Sequence, residues 1–249
     1  MLGEGLIAYL TAGDPNKETT LRFLEVLDRY CDAIELGIPF SDPMADGPVI
    51  QQASFRALKN GFRTGDVFEI VRSFREISEK PVIIMSYWNP IFRMGPGRFL
   101  DEMASCGADA LLVVDLPYDQ AEDYIEMTER KGVRRVFLAA PNTSEERLRK
   151  IDELSSFVYL ISLYGVTGAR EKISPVAFDA LRRAKKICRK PVAVGFGISK
   201  EEHVRMLLRE GADGIVVGSA IVRIIGEEGE RASQRIEEKL RELRRGFEE

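Results

Sequence analysis

Apolar residues recur along the chain in short continuous runs, at 6–10, 33–36, 82–85, 110–114, 135–139, 157–161, 192–195 and 214–217. Runs of that length, rich in Val, Ile and Leu, mark strands buried on both faces. Between them, the stretches 19–30, 66–78, 97–105, 120–130, 144–154, 175–186 and 199–209 carry charges on one side and Leu, Ile, Val or Phe on the other. That periodicity predicts amphipathic helices, and a further helix is expected over 226–247. Strand and helix alternating eight times predict a parallel sheet covered by helices. Within 249 residues, eight such units are expected to close into an α/β fold, a (β/α)8 TIM barrel, forming a single domain over 1–249. An internal echo supports a recurring unit. Gly107-Ala-Asp-Ala-Leu-Leu-Val-Val and Gly211-Ala-Asp-Gly-Ile-Val-Val each set a helix-ending glycine just before a buried strand.

Composition narrows the chemistry. With 36 basic and 40 acidic residues the net charge is −4, which leaves no electrostatic footprint for nucleic acid or an anionic membrane. No apolar run approaches the roughly 18 residues that a spanning helix needs, so a soluble, cytoplasmic protein is expected. Cys31, Cys106 and Cys188 are far apart and form no CxxC pair, so they are expected as small buried hydrophobes without disulfides. His203 is the single histidine, which excludes a Ser-His-Asp triad and a multi-histidine metal site. It lies in the charged stretch 199–209 and is expected on a helix surface. Catalysis is left to carboxylates, tyrosines, hydroxyls and backbone dipoles, with no metal or organic cofactor required. Asparagine and glutamine number four each, a composition that hints at a thermophilic source.

In barrels of this kind the site lies at the carboxyl ends of the strands. Along the second strand, side-chain alternation turns Ala33, Glu35 and Gly37 inward if Ile34, Leu36 and Ile38 face the helices. A carboxylate inside the barrel is costly to desolvate, so Glu35 suits a general acid or base, with an interior ion pair as the alternative. The following loop, Pro39-Phe-Ser-Asp-Pro-Met-Ala-Asp-Gly-Pro48, holds Asp42 and Asp46 on a proline-stiffened frame, as catalytic groups or as turn formers. Three glycine-containing segments follow later strands: Gly165-Val-Thr-Gly168, Gly195-Phe-Gly197 and Gly218-Ser219. Glycines let backbone N–H groups approach an anion, and a short helix starting at Ser219 would aim its positive end there, so a phosphate site is expected. Tyr9, Met85, Leu112, Val114, Tyr159 and Phe196 are candidates for the apolar wall of the same cavity, with ordinary packing as the alternative. Glycine and charge in 165–171 suggest a mobile lid. Neither a Walker A sequence nor GxGxxG is present, which removes nucleoside triphosphates and dinucleotides.

The block Glu35-Leu-Gly-Ile-Pro-Phe-Ser-Asp-Pro-Met-Ala-Asp-Gly-Pro48, with Tyr9-Leu-Thr-Ala-Gly-Asp-Pro15, Tyr159-Leu-Ile-Ser162, Gly165-Val-Thr-Gly-Ala169, Val194-Gly-Phe-Gly-Ile198 and Gly218-Ser-Ala-Ile-Val222, resembles the tryptophan synthase alpha subunit family. The resemblance runs through essentially the whole chain in order. It implies retro-aldol cleavage of indole-3-glycerol phosphate to indole and glyceraldehyde 3-phosphate. It also implies a pyridoxal-phosphate beta subunit as partner, in an α2β2 complex that passes indole through a tunnel. By position, Glu35 matches the family's acid/base glutamate, Asp46 the aspartate facing the indole N–H, and Tyr159 a tyrosine near the substrate. Thr167 matches a lid threonine, and Gly168, Gly197, Gly218 and Ser219 match the phosphate cradle. Asp42 falls on the loop that faces the beta subunit. Two departures stand out. The first strand begins by residue 6, where most relatives first carry a helix that plugs the barrel floor, and Leu163-Tyr164 replaces a more polar pair. Without the resemblance, the residues also suit a sugar-phosphate isomerase or epimerase using two carboxylates, a non-catalytic phosphate-binding regulatory barrel, or an FMN-binding barrel.

Overall fold

The computed structural model describes residues 5–161 and 173–248. Eight strands, β1 (Gly5–Thr11), β2 (Ala33–Gly37), β3 (Val82–Ser86), β4 (Ala110–Val113), β5 (Arg134–Ala139), β6 (Val158–Ile161), β7 (Val192–Gly195) and β8 (Gly214–Val217), pair in chain order and close on themselves. All pairings are parallel, and β8 returns to β1 with Ile7 opposite Val216. Among the described residues eleven helices surround them: α1 (Lys17–Tyr30), α2 (Pro48–Lys59), α3 (Asp66–Arg75), α4 (Trp88–Met94), α5 (Pro96–Cys106), α6 (Glu122–Lys131), α7 (Glu145–Leu154), α8 (Pro175–Ile187), α9 (Glu201–Arg209), α10 (Ser219–Glu228) and α11 (Ser233–Arg245). The fold is the expected (β/α)8 barrel.

Strand alternation divides the core in two. Ile7, Ala33, Ile83, Ala110, Leu112 and Val136 belong to a cluster inside the barrel. Leu6, Ala8, Leu10, Ile34 and Leu36, their neighbours in sequence, join the larger cluster between barrel and helices. A two-residue period therefore feeds both layers, which is why the strands read as uninterrupted apolar runs.

The repeated Gly-Ala-Asp has a structural cause at the amino-terminal end of the barrel. Asp109, just before β4, accepts the N–H of Val82 at the start of β3 at 2.8 Å and pairs with Arg75. Asp213, just before β8, accepts the N–H of Val192 in β7 at 2.7 Å and pairs with Lys185. Asp32 does the same for Leu6 in β1 at 2.8 Å, with Arg244 of α11 as its cation. Between α7 and β6, the Ser155 hydroxyl accepts the N–H of Phe137 in β5 at 3.0 Å. Each even-numbered strand is thus latched to the odd-numbered strand before it.

Three expectations change. The tail is not one helix over 226–247: α10 ends at Glu228, Gly229 takes φ of 58°, a short 3-10 turn follows, and α11 starts anew. A left-handed glycine stops a helix at little steric cost. His203 is not on the surface but 4 % exposed, because it shares the inward face of α9 with Val204 and Leu207. Its Nδ1 accepts the Ser199 N–H at 3.4 Å. Helix α4 was not foreseen from the sequence, since seven residues bounded by Gly95 give too short a period to register.

Candidate active site

Glu35 lies in β2, in register with Tyr9 of β1 and Ile83 of β3. Alternation turns it into the barrel, where it is 1 % exposed. Its Oε2 accepts the Tyr159 hydroxyl of β6 at 3.2 Å, while Oε1 is buried with no hydrogen-bond partner among the described residues. Burial pushes the carboxyl up to about 8; the Tyr159 hydrogen bond opposes this and the charge of Asp46 adds to it. No cation pairs with Glu35 among the described residues, where its neighbours are Tyr159 and the charge of Asp46.

Asp46 stands above it on the β2–α2 loop. Tyr87, just past the end of β3, donates its hydroxyl to Asp46 Oδ2 at 3.0 Å and accepts the Ala45 N–H at 3.0 Å. Its ring packs on Phe40 from the same loop, with centroids 5.2 Å apart. Gln51 in the first turn of α2 donates to the Asp46 carbonyl at 2.9 Å. Burial raises the Asp46 carboxyl to about 6, and the Tyr87 hydroxyl holds it from going higher. Tyr87 was missed in the sequence, although it follows the third strand at the very place where the strand-end rule looks for chemistry.

Two glycines seat the two inward tyrosines. A Cβ on Gly37 would meet the Tyr9 hydroxyl at 2.3 Å, and one on Gly195 would meet the Tyr159 ring at 2.9 Å. The Tyr9 hydroxyl shares a hydrogen bond with Thr11 Oγ1 at 3.2 Å. Burial and the charges of Asp46 and Glu35 hold the Tyr9 hydroxyl well above its usual range, so it stays protonated. Met85 and Leu112 follow Gly37 around the barrel in register. Leu112 is in the interior cluster, and Met85 bridges it to a cluster at the mouth formed by Tyr9, Ile50, Ala53 and Val222.

Phe196 is placed differently from its expected role. Because Gly195 faces inward, Phe196 turns outward into the barrel–helix layer, where it is buried. Gly197 then turns the chain with φ of 74°. Helix α10 starts at Ser219, with Gly218 in front of it. Its first turn uses the N–H groups of Ile221 and Val222, which reach the Gly218 carbonyl, and leaves those of Ser219 and Ala220 for an anion. Thr167, Gly168 and the expected lid lie outside the described residues. Asp42 is exposed on the catalytic-loop crest, where it accepts the Ser41 hydroxyl at 2.5 Å.

A closed barrel with an uncharged-range glutamate in its wall, an ionisable aspartate pinned above it and a helix start at the rim defines an acid–base enzyme of the (β/α)8 class. The chain matches the family described as "Tryptophan synthase alpha chain" over residues 3–249. It is 57% identical over 239 residues to the tryptophan synthase alpha chain of Pyrococcus furiosus, covering 96% of each chain. It is also 57% identical over 248 residues to that of Archaeoglobus fulgidus, covering 99% of this chain and 100% of the other. The fold superposes on the crystal structure of a tryptophan synthase complex from Pyrococcus furiosus with a TM-score of 0.93 at 54% identity, covering 98% of this chain and 99% of that one. An alpha subunit from the same hyperthermophile gives a TM-score of 0.94 at 55% identity with the same coverage. The chain belongs to the tryptophan synthase alpha chain family, and it is a carbon–carbon lyase that cleaves indole-3-glycerol phosphate.

Proposed function

We propose that Glu35 is the acid and base of this cleavage and that Asp46 carries the charge of the indole nitrogen. The observation that carries the assignment is the Glu35 carboxyl, buried in the barrel wall with one oxygen unpartnered, beneath an Asp46 that Tyr87 holds in place. In the protonated form, Glu35 gives its proton to the ring carbon that bears the glycerol chain. The ring nitrogen becomes positive, and the Asp46 carboxylate stabilises it. The Glu35 carboxylate then takes the proton of the hydroxyl on the adjacent carbon. The carbon–carbon bond breaks, its electrons restore the aromatic ring, and indole leaves with glyceraldehyde 3-phosphate. One carboxyl thereby ends each turnover as it began, protonated. In this proposal Tyr9, Met85, Leu112 and Tyr159 wall the indole end and the N–H groups of Gly197, Gly218 and Ser219 hold the phosphate; by the resemblance, Gly168 belongs with that cradle and Thr167 is the lid threonine. No Lys or Arg occurs in 195–199 or 218–222, so backbone dipoles supply most of that attraction.

The partner in this proposal is a pyridoxal-phosphate beta subunit, joined in an α2β2 complex across the barrel mouth. Supporting it, the catalytic loop carries Met44 at 90 % exposure, and Phe92 of α4, which follows β3, is 64 % exposed. Exposed apolar side chains beside the site, such as Met44 and Phe92, suit a covered surface.

An indole-release assay with indole-3-glycerol phosphate tests the catalytic assignment. Glu35→Gln keeps the shape and removes proton transfer, so turnover is expected to fall at least about 100-fold with the fold intact. Near-normal indole release from a folded Glu35→Gln protein refutes the role.

A further inference from the structure

The two ends of the substrate site sit on different helices. Asp46 lies just ahead of Gly47, the N-cap of α2, and the anion end is the start of α10, some 170 residues later in the chain. Their apolar faces meet over β1, where Ile50 and Ala53 of α2, Val222 of α10 and Tyr9 form the mouth cluster. A polar arrangement backs this contact. Arg56, on α2, reaches the β1–α1 turn and grips Asp14 with both arms, Nε to Oδ1 at 2.8 Å and a terminal nitrogen to Oδ2 at 2.7 Å. The Asp14 side chain is 0 % exposed. The same guanidinium lies against α10, since a Cβ on Gly226 would stand 3.4 Å from both terminal nitrogens. Asn60, at the end of α2, adds a bond from Nδ2 to the Pro15 carbonyl at 2.7 Å. Three segments that carry the site are thus joined at one planar cation, which a lysine's point charge could not reproduce.

We propose that Arg56 is a positioning residue that makes α2 and α10 move as one body, so that an anion at the start of α10 and an indole ring beneath Asp46 strengthen each other's binding. The inference rests on the assignment of those two ends given above. Neither Arg56 nor Asp14 touches the substrate. Arg56 acts through the helices: an anion that settles on the N–H groups of Ser219 and Ala220 fixes α10, the guanidinium passes that constraint to α2, and α2 sets the height of the Asp46 loop. Coupling of this kind is reciprocal and is typically about 5- to 150-fold between two ligands.

The test is calorimetric titration of the full chain with indole, alone and with saturating glycerol 3-phosphate. In the unaltered protein, glycerol 3-phosphate is expected to tighten indole by at least about fivefold. In Arg56→Met the gain is expected to drop to within about twofold of none, while Arg56→Lys, which keeps the charge but not the fork, retains only part of it. Arg56→Met leaves a buried carboxylate unpaired and can fail to fold. Asp14→Asn/Arg56→Met removes both charges and then carries the measurement. If the pair served stability alone, any folded variant would keep the full gain. A full gain in a folded protein lacking the guanidinium overturns the proposal, as does the absence of any gain in the unaltered protein. If neither ligand binds the unaltered protein, what fails is the assignment of the two ends, and the coupling falls with it.

Discussion

At the scale of single residues, the site works by refusing water to two carboxyls to different extents. Glu35 is held to about 8 and Asp46 to about 6, so between those values the first is protonated and the second ionised. This is the combination that the proposed mechanism requires, and kcat/KM is expected to follow a bell bounded by those two titrations. The same burial acts on stability. Below about 4.5, the ordinary value of Glu35, both folded and unfolded chains are protonated there and no penalty exists. As pH rises toward 8 the unfolded chain releases the proton while the folded one keeps it, so folding loses stability until both are ionised. Glu35→Gln removes this penalty. Its melting temperature relative to the unaltered protein is therefore expected to climb between pH 4.5 and 8 and to level off above, as differential scanning calorimetry would show. A difference that stays flat with pH contradicts a buried, neutral Glu35. The inward turn of Glu35 could be read from the sequence because it follows from alternation alone. The position of Tyr87 just past β3 could also have been read, but its bond to Asp46 and the seats at Gly37 and Gly195 could not, since they depend on which side chains meet between elements distant in sequence.

At the scale of elements, strand periods and helix periods are local properties, and the chain displays them openly. All eight strands fall within one or two residues of their apolar runs. What escaped detection was interruption and environment. Gly229 broke the expected terminal helix, and a histidine among charges proved to be inside. Phe196 likewise follows parity: once Gly195 faces in, its neighbour must face out. The latches at the barrel floor are elements of a different kind: three are carboxylates that each serve a strand N–H and a helix cation together, and the fourth is the Ser155 hydroxyl. Asp109→Ala strips the Val82 N–H of its acceptor and leaves Arg75 without its carboxylate. A loss of about 1–3 kcal/mol is expected from urea unfolding, with indole release unaffected because the latch lies at the opposite end from the site. A change below about 0.5 kcal/mol would place the latch among ordinary surface contacts.

For the whole molecule, the proposed chemistry and the proposed partner contact fall at one end. The β2–α2 loop bears Asp46 on its buried side and Asp42 and Met44 on its exposed side, only a few residues apart. Binding a beta subunit to the outer side therefore bears on the geometry of the inner side. Titration with a beta subunit from the same source is expected to stimulate indole release. Asp42→Ala should lose most of that stimulation and far less of the activity shown alone. Stimulation that survives Asp42→Ala, or no association by light scattering, removes this loop as the point of contact while leaving the cleavage chemistry in place.

The pairwise latching of the floor bears on how such a molecule changes through descent. Four stapled strand pairs set the circumference of the barrel from below, at the end opposite the proposed site. Loops at the other rim can lengthen, shorten or exchange their polar residues without reopening the question of closure. A chain so built is free to drift toward new substrates one rim loop at a time, because the part that makes it a barrel and the part that makes it selective answer to separate residues.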